Sequence, residues 1–322
     1  MVQVSAGGLN RTPGSPSLDL SGKRNRGMSE RVIQLLLSAC AVFTMITTVG
    51  IGAILAYESI RFFGEVGVTD FLFGNQWTAL FPQDQHFGVL PLVRGTLTIA
   101  LISAFVSIPL GLLAAIYLSE YASEGARAVL KPTLEVLAGV PTIVYGFFAL
   151  KFITPNLIDP ILDVGVFNGL AAGIAIGILT LPLVASLSED ALRAVPRSLR
   201  EAAYGLGATK LETAVRVILP AAISGVIASF ILAISRAIGE TMIVALAAGS
   251  RPAGQGTGGP WDATQSMQTM TGFIAQAFSG DVSRGTPAFY SLFGVGLLLF
   301  LMTLMMNVLS QWIAQRFRQE YE

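Results

Sequence analysis

From Val32 to Tyr57 the chain runs 26 residues without a charged side chain. At 1.5 Å of rise per residue, a helix of that length crosses a hydrocarbon core of about 30 Å with some tilt. Five further apolar stretches, at about 95–119, 132–154, 167–188, 217–248 and 287–314, do the same. In hydrocarbon every backbone N–H and C=O must find its partner within the segment, so such runs become helices. The sequence therefore predicts an all-α polytopic membrane protein of six transmembrane helices. The fifth stretch is long for one crossing and carries Pro220 near its start, which predicts a kink. Gly139 and Pro141 mark a bend in the third.

Charge is scarce. Only 12% of the residues are charged, where a soluble domain carries about a quarter. That excludes an ordinary soluble enzyme and a nucleic-acid-binding chain, and makes the lipid bilayer a partner. Cys40 is the single cysteine, so neither an intrachain disulfide nor a C-x-x-C metal pair is expected. His86 is the single histidine, which leaves no His-ligated metal centre and no Ser-His-Asp triad; it reads as a solvated side chain. Leu37-Ser38-Ala39-Cys40 has the look of a lipoprotein cleavage box, but the apolar run continues through Ala56. Cys40 is therefore read as a small residue facing lipid or another helix.

Basic residues sort the loops by side. With the amino terminus inside, 14 of the 20 Lys and Arg residues fall on the cytoplasmic side and 5 on the outer side, Arg236 alone lying within a span. Both termini are then cytoplasmic. Residues 1–31 read as a disordered basic tail, 32–57 as the first transmembrane helix, 58–94 as an outer loop, and 95–318 as a core of five helices. That core includes a cytoplasmic loop at 189–216 and an outer loop at 249–286. The outer loops are long enough for short helices or docking surfaces, and hold Trp77 and Trp261, residues suited to an interface.

The loop between spans four and five is the most informative. Leu192, Val195, Leu199, Ala203 and Leu206 recur at helical spacing, giving one apolar and one charged face. The helix start lies at Pro196 or at a Ser198–Glu201 capping box. Gly207 is placed to end it in a left-handed turn, and Thr209 with Glu212 opens a second helix. Shape alone leaves an interfacial amphipathic helix and a partner-docking helix equally open. The spacing is more specific. Glu201-Ala202-Ala203, three residues, Gly207, nine residues, Val217, one residue, then Leu219-Pro220 resembles the EAA loop of ABC importer permeases, with Val217 in place of Ile. The resemblance implies a type I ABC importer permease bundle whose coupling helix docks on a cytoplasmic ATPase. Glu201, Ala202, Ala203, Gly207, Leu219 and Pro220 would carry that contact. No G-x-x-x-x-G-K-[ST] occurs, so the chain is read as no enzyme and as holding no cofactor; ATP and magnesium belong to a separate ATPase subunit.

Arg236 and Glu240 stand out as charges within the fifth span. A charge at the bilayer centre costs about 2.5–3.5 kcal/mol on insertion scales. At positions i and i+4 on one helix they would share a face and form a salt bridge. The pair either locks two helices together or places a guanidinium fork, matched to tetrahedral oxyanions, in a conduit. Ser235-Arg-Ala-Ile-Gly-Glu-Thr-Met242, Leu134–Phe147 and Ala115-Ile-Tyr-Leu-Ser-Glu120-Tyr121 are similar to the phosphate-specific ABC transporter permeases, the C subunit more than the A subunit. The resemblance covers most of residues 30–318. It implies import of inorganic phosphate across the bacterial cytoplasmic membrane, with Arg236 and Glu240 in the substrate pathway. The implied partners are a sister permease in a heterodimer, two cytoplasmic ATPase subunits and an extracytoplasmic phosphate-binding protein. Permeation of sulfate or molybdate is the alternative, and an ion-coupled secondary transporter a weaker one. Gly165, Gly169, Gly173 and Gly177 would form a small-residue stripe on the fourth span, for packing within the chain or at the paired permease.

Overall fold

The computed structural model describes residues 23–81, 83–256, 258–280 and 282–316, with side chains from residue 30 onward. The expected tail falls outside these residues up to position 22, and so do residues 317 and 318. The chain divides into two units, one ending at Ala53 and the other starting at Ile54, with helix α1 (Lys23–Glu65) entering both. In contrast to the expected disordered tail, residues 23–31 are already helical, Lys and Arg being good helix formers ahead of a long apolar run. Within the first unit the apolar side chains from Val32 to Val49 are exposed, as is Cys40. The Thr44, Thr47 and Thr48 hydroxyls donate to carbonyls four residues earlier, which satisfies them within this apolar rod.

The second unit is built on α3 (Leu90–Ile116) and α6 (Gly169–Ala194). A Cβ added at Gly173 would come within 2.6 Å of Ile102 Cγ2, and one at Gly177 within 2.6 Å of Val106 Cβ. One at Gly111 would meet Val184 Cβ at 2.7 Å. These pairings ascend together along both helices, so α3 and α6 run parallel with their backbones close. The glycine stripe thus packs within the chain. Gly165 is not in it, because Asn168 caps α6 and the helix begins at Gly169.

Helix α10 (Ile223–Ile238) crosses α6 antiparallel: Gly225 faces Ala191, and Ser229 hydrogen-bonds Ser188 at 2.8 Å. Helix α12 (Pro287–Arg316) is antiparallel to α10, with Asn307 beside Ser235 and Ser310 beside Ala228. Alternating directions are what successive spans require.

Two expected spans are broken. The third is α4 (Glu124–Gly139) and α5 (Thr142–Phe148), the latter continuing as a wide π-type coil through Ile158; the two parts meet at 87°. Pro141 forces Val140 into extended geometry and ends α4 there. The fifth comprises α8 (Lys210–Thr213), a π-type turn and α9 (Leu219–Ala221), then α10 after a 76° bend. The bend sits at Ala222, just past Pro220. Among the described residues four helices are long and apolar enough to cross a membrane, or up to six with each bent pair counted as one span.

At the α3 and α6 amino-terminal end, α2 (Val68–Phe73) and α11 (Met270–Ser279) pack with the end of α1 around Phe62, Phe71, Trp77 and Phe273. Trp77 stacks edge-on with Phe273 at 4.7 Å between centroids and is 2% exposed, so it is a core residue and not the interface residue the sequence predicts. Trp261 is 55% exposed. His86 is solvated, beside Asp84 at 3.0 Å.

Gly173→Ala and Gly177→Ala are expected to lower the melting temperature of the purified protein. Overpacking costs about 1–3 kcal/mol, and this exceeds the helix-propensity gain of about 1 kcal/mol. Gly165→Ala, whose new Cβ would lie 3.4 Å from the Phe167 carbonyl, should leave the melting temperature unchanged. A thermal unfolding series in detergent checks all three.

Candidate functional site

Helix α7 (Arg197–Gly205) comes after α6 and one extended residue, Val195, with Pro196 at its cap position. Of the two starts the sequence leaves open, the structure takes Pro196; no side chain caps the helix. Leu192, Val195 and Ala203 are buried as the helical spacing predicts, and Leu199 packs beside them. Leu206 departs from that face. It stands 91% exposed, because the helix ends at Gly205 and Gly207 turns the chain with φ of 85°. Thr209 and Glu212 form the expected capping box at the start of α8.

Glu201, Ala202 and Gly207 lie exposed on α7 and its exit, next to the exposed apolar side chains of Tyr204, Leu206 and Leu211. Ala203 faces the other way. Leu219 is half-buried against the same apolar cluster as Leu199, and Pro220 sits exposed just before the bend.

Arg236 lies in the last turn of α10. The expected salt bridge to Glu240 is not formed. Helix α10 ends at Ile238, so Glu240 is no longer one turn along the same helix. Its Oε1 instead accepts from the Met242 and Ile243 N–H groups at 3.1 and 3.4 Å, capping the segment that leads into the π-type turn Val244–Ala248. Thr271 Oγ1 donates to the Glu240 carbonyl at 2.8 Å. Among the described residues the Arg236 guanidinium has no hydrogen bond and no ion pair. It borders a cavity of about 210 Å³ between α4, α6 and α10, where Lys131, Glu135, Ser186 and Glu189 supply the polar walls and Leu179, Pro182 and Leu183 the apolar ones.

Glu189 escaped the sequence reading, which placed it at the edge of a loop. Helix α6 runs on to Ala194, and this carboxylate is fully buried. Arg127 Nη2 lies 2.5 Å from it, Lys131 Nζ 3.1 Å and Arg193 Nη1 3.9 Å; Lys131 also reaches Asp190 at 3.1 Å. The sequence pairs Arg127 or Lys131 with Glu135, but Glu135 stays exposed and borders the cavity. The available signal was the spacing of Glu124, Arg127, Lys131 and Glu135, which aligns four charges on one face of α4.

Removing one partner of a buried ion pair costs about 3–5 kcal/mol, and an exposed pair is worth about 0–1 kcal/mol. The cations around Glu189 are about one-quarter exposed, which places Glu189→Ala toward the lower part of that range. Thermal unfolding should show a large loss for Glu189→Ala and almost none for Asp190→Ala, whose side chain is 59% exposed.

Residues 107–319 match the family model described as binding-protein-dependent transport system inner membrane component. The chain is 30% identical over 300 residues to a probable ABC transporter permease protein, YqgH, of Bacillus subtilis strain 168, covering 92% of this chain and 94% of that one. It is also 30% identical to the phosphate transport system permease protein PstC of Xylella fastidiosa strain Temecula1, over 88% of this chain and 90% of the relative. A chain of the bacterial alginate ABC transporter, in complex with alginate pentasaccharide-bound periplasmic protein, superposes with a TM-score of 0.57 at 15% identity, covering 91% of this chain and 99% of that one. A chain of the inward-facing MetNI methionine ABC transporter gives 0.53 at 20% identity, over 71% and 96%.

Proposed function

Because the chain belongs to the family of binding-protein-dependent transport system inner membrane components and is a permease of an ABC importer, we propose that its cargo is inorganic phosphate. The observation that carries this reading is Arg236: an exposed guanidinium in the expected fifth span, without a hydrogen bond or ion pair among the described residues and bordering a cavity. A planar fork of N–H donors suits a tetrahedral oxyanion, and the unpaired positive charge favours an anion. Glu240, spent on backbone N–H groups, does not neutralise it; its part is to hold the break that ends α10 beside the cavity. Relatives named as phosphate permeases match over most of their length, among them PstC of Haemophilus influenzae at 30% identity.

On this reading the chain pairs with a sister permease in the cytoplasmic membrane, both termini inside. The exposed surface around Glu201, Ala202 and Gly207 meets one of two ATPase subunits, and an extracytoplasmic phosphate-binding protein delivers the anion. ATP and magnesium are bound by the ATPase, and its closure moves α7 and opens the conduit to alternate sides. Import of another oxyanion, sulfate or molybdate, is the second reading, since the guanidinium fork fits each of them.

Reconstitution with the partner subunits, offering phosphate, sulfate and molybdate with and without ATP, tests the proposal. ATP-dependent phosphate uptake is expected, abolished in Arg236→Ala with assembly intact and partly retained in Arg236→Lys. Sulfate uptake without phosphate uptake would sink the substrate, and gradient-driven uptake without ATP would sink the mechanism. Loss of assembly in Arg236→Ala would make the residue structural.

A further inference from the structure

Arg200, on α7, is the most heavily bonded side chain at this end of the molecule. Its Nε and Nη2 donate to Glu120 Oε2 and Oε1 at 3.3 and 3.0 Å. Nη1 donates to the Val195 carbonyl at 2.6 Å and Nη2 also to the Leu192 carbonyl at 2.8 Å. The two side chains are only 16% and 4% exposed. Glu120 belongs to the π-type turn Tyr117–Tyr121 that continues α3, and Ser119 Oγ donates to its Oε1 at 2.7 Å. Leu192 and Val195 end α6. One guanidinium thus holds three elements: the carboxylate at the end of α3, two of the last carbonyls of α6 and its cap, and α7 itself.

The chemistry is specific to arginine. The planar fork serves a bidentate carboxylate and two carbonyls at once, and a cation suits the negative end of the α6 dipole. The bonds bridge 80 residues of sequence, so they are a tertiary device and no by-product of α7 forming. A helix held only by an apolar underside can slide or tilt on it, whereas a directional fork resists both. The Ala115–Tyr121 motif, for which the sequence alone offers no role, supplies the anion.

The geometry points to Arg200 and Glu120 as a transmission clamp: positioning residues that make α7 move as one body with the ends of α3 and α6, so that a displacement imposed on α7 reaches the membrane helices. This rests on the reading that an ATPase docks on α7. Arg200 and Glu120 are largely buried whereas Glu201, on the rim of the same pocket, is exposed, so loss of the clamp should spare docking and impair the transfer of motion into the membrane helices.

The test uses the reconstituted complex with its partner subunits. In Glu120→Gln and Arg200→Gln the ATPase should co-purify as in the parent, while phosphate taken up per ATP hydrolysed falls by about tenfold. The double variant should be no worse than either single one, and Arg200→Lys should fall between. Spin labels at Tyr117→Cys and Ser198→Cys, with Cys40→Ala removing the native thiol, should keep one distance with and without ATP in the parent. In Glu120→Gln that distance should change on ATP binding. The proposal is overturned by uptake per ATP within about twofold of the parent in Glu120→Gln. It is equally overturned by a parent distance that shifts with ATP, or by loss of ATPase binding in both Glu120→Gln and Arg200→Lys, which would make the pair a folding element. A parent complex that hydrolyses ATP without taking up phosphate counts against the substrate, and the spin-label distances still decide the clamp.

Discussion

Close parallel packing of α3 against α6 is the constraint on which the second unit rests. In a bilayer, lipid tails are as apolar as leucine, so burial gives helices little reason to associate; van der Waals contact between close backbones must supply it. Gly173 and Gly177 on α6 and Gly111 on α3 permit that approach, receiving Ile102, Val106 and Val184. The shared direction of the two helices decides which groups meet at either end. At their amino-terminal end Gly95 abuts the Gln268 backbone and the Thr96 hydroxyl accepts the Met270 N–H, which seats the aromatic cluster. At the other end Glu120 and the last carbonyls of α6 come side by side, and one guanidinium spans them. An antiparallel pair would have put these groups at opposite ends.

Features with local causes were legible in the sequence. The apolar runs, the left-handed turn at Gly207, the Thr209–Glu212 box and the breaks near Pro141 and Pro220 each arise from residues within a few positions of one another. Features with distant causes were not. Glu189 looked like a loop charge because its cations lie on α4, some 60 residues away. Trp77 looked like an interface residue because Phe273 arrives from another loop. The Arg236–Glu240 pairing failed for a different reason: it assumed an unbroken helix, and Gly239 ends it. A capping carboxylate and an i+4 salt bridge draw on the same atoms, and the unsatisfied N–H groups of Met242 and Ile243 took them.

The charges at this end fall into two classes, paired and unpaired. Glu189 is ion-paired with cations, Glu120 is held by Arg200 and Ser119, and both are buried. Arg236 and Glu135 border the same cavity without partners among the described residues. Paired groups join elements and fix their spacing, because freeing either partner would strand a charge away from water. Unpaired groups at a cavity retain their capacity for a ligand. On the proposed reading this distinction separates framework from pathway more sharply than the presence of an intramembrane charge does.

The unit is thereby divided mechanically as well as chemically. Helices α3 and α6 form a stiff parallel pair with interlocked side chains, whereas α4–α5 and α9–α10 each turn sharply at a short break. The cavity beside Arg236 is walled by both kinds of element: α6 from the stiff pair, α4 and α10 from the bent arms. With α7 bonded to the ends of the stiff pair, the clamp proposed above would make a push on α7 move that pair as a body. Packed cores do not deform continuously, so on that reading the relative motion is taken up where the backbone is already broken, at Val140–Pro141 and Ala222. Those breaks adjoin the very segments that wall the cavity. On the proposed reading, displacement at α7 and a change in the shape of the space around Arg236 are therefore the same event seen at two places.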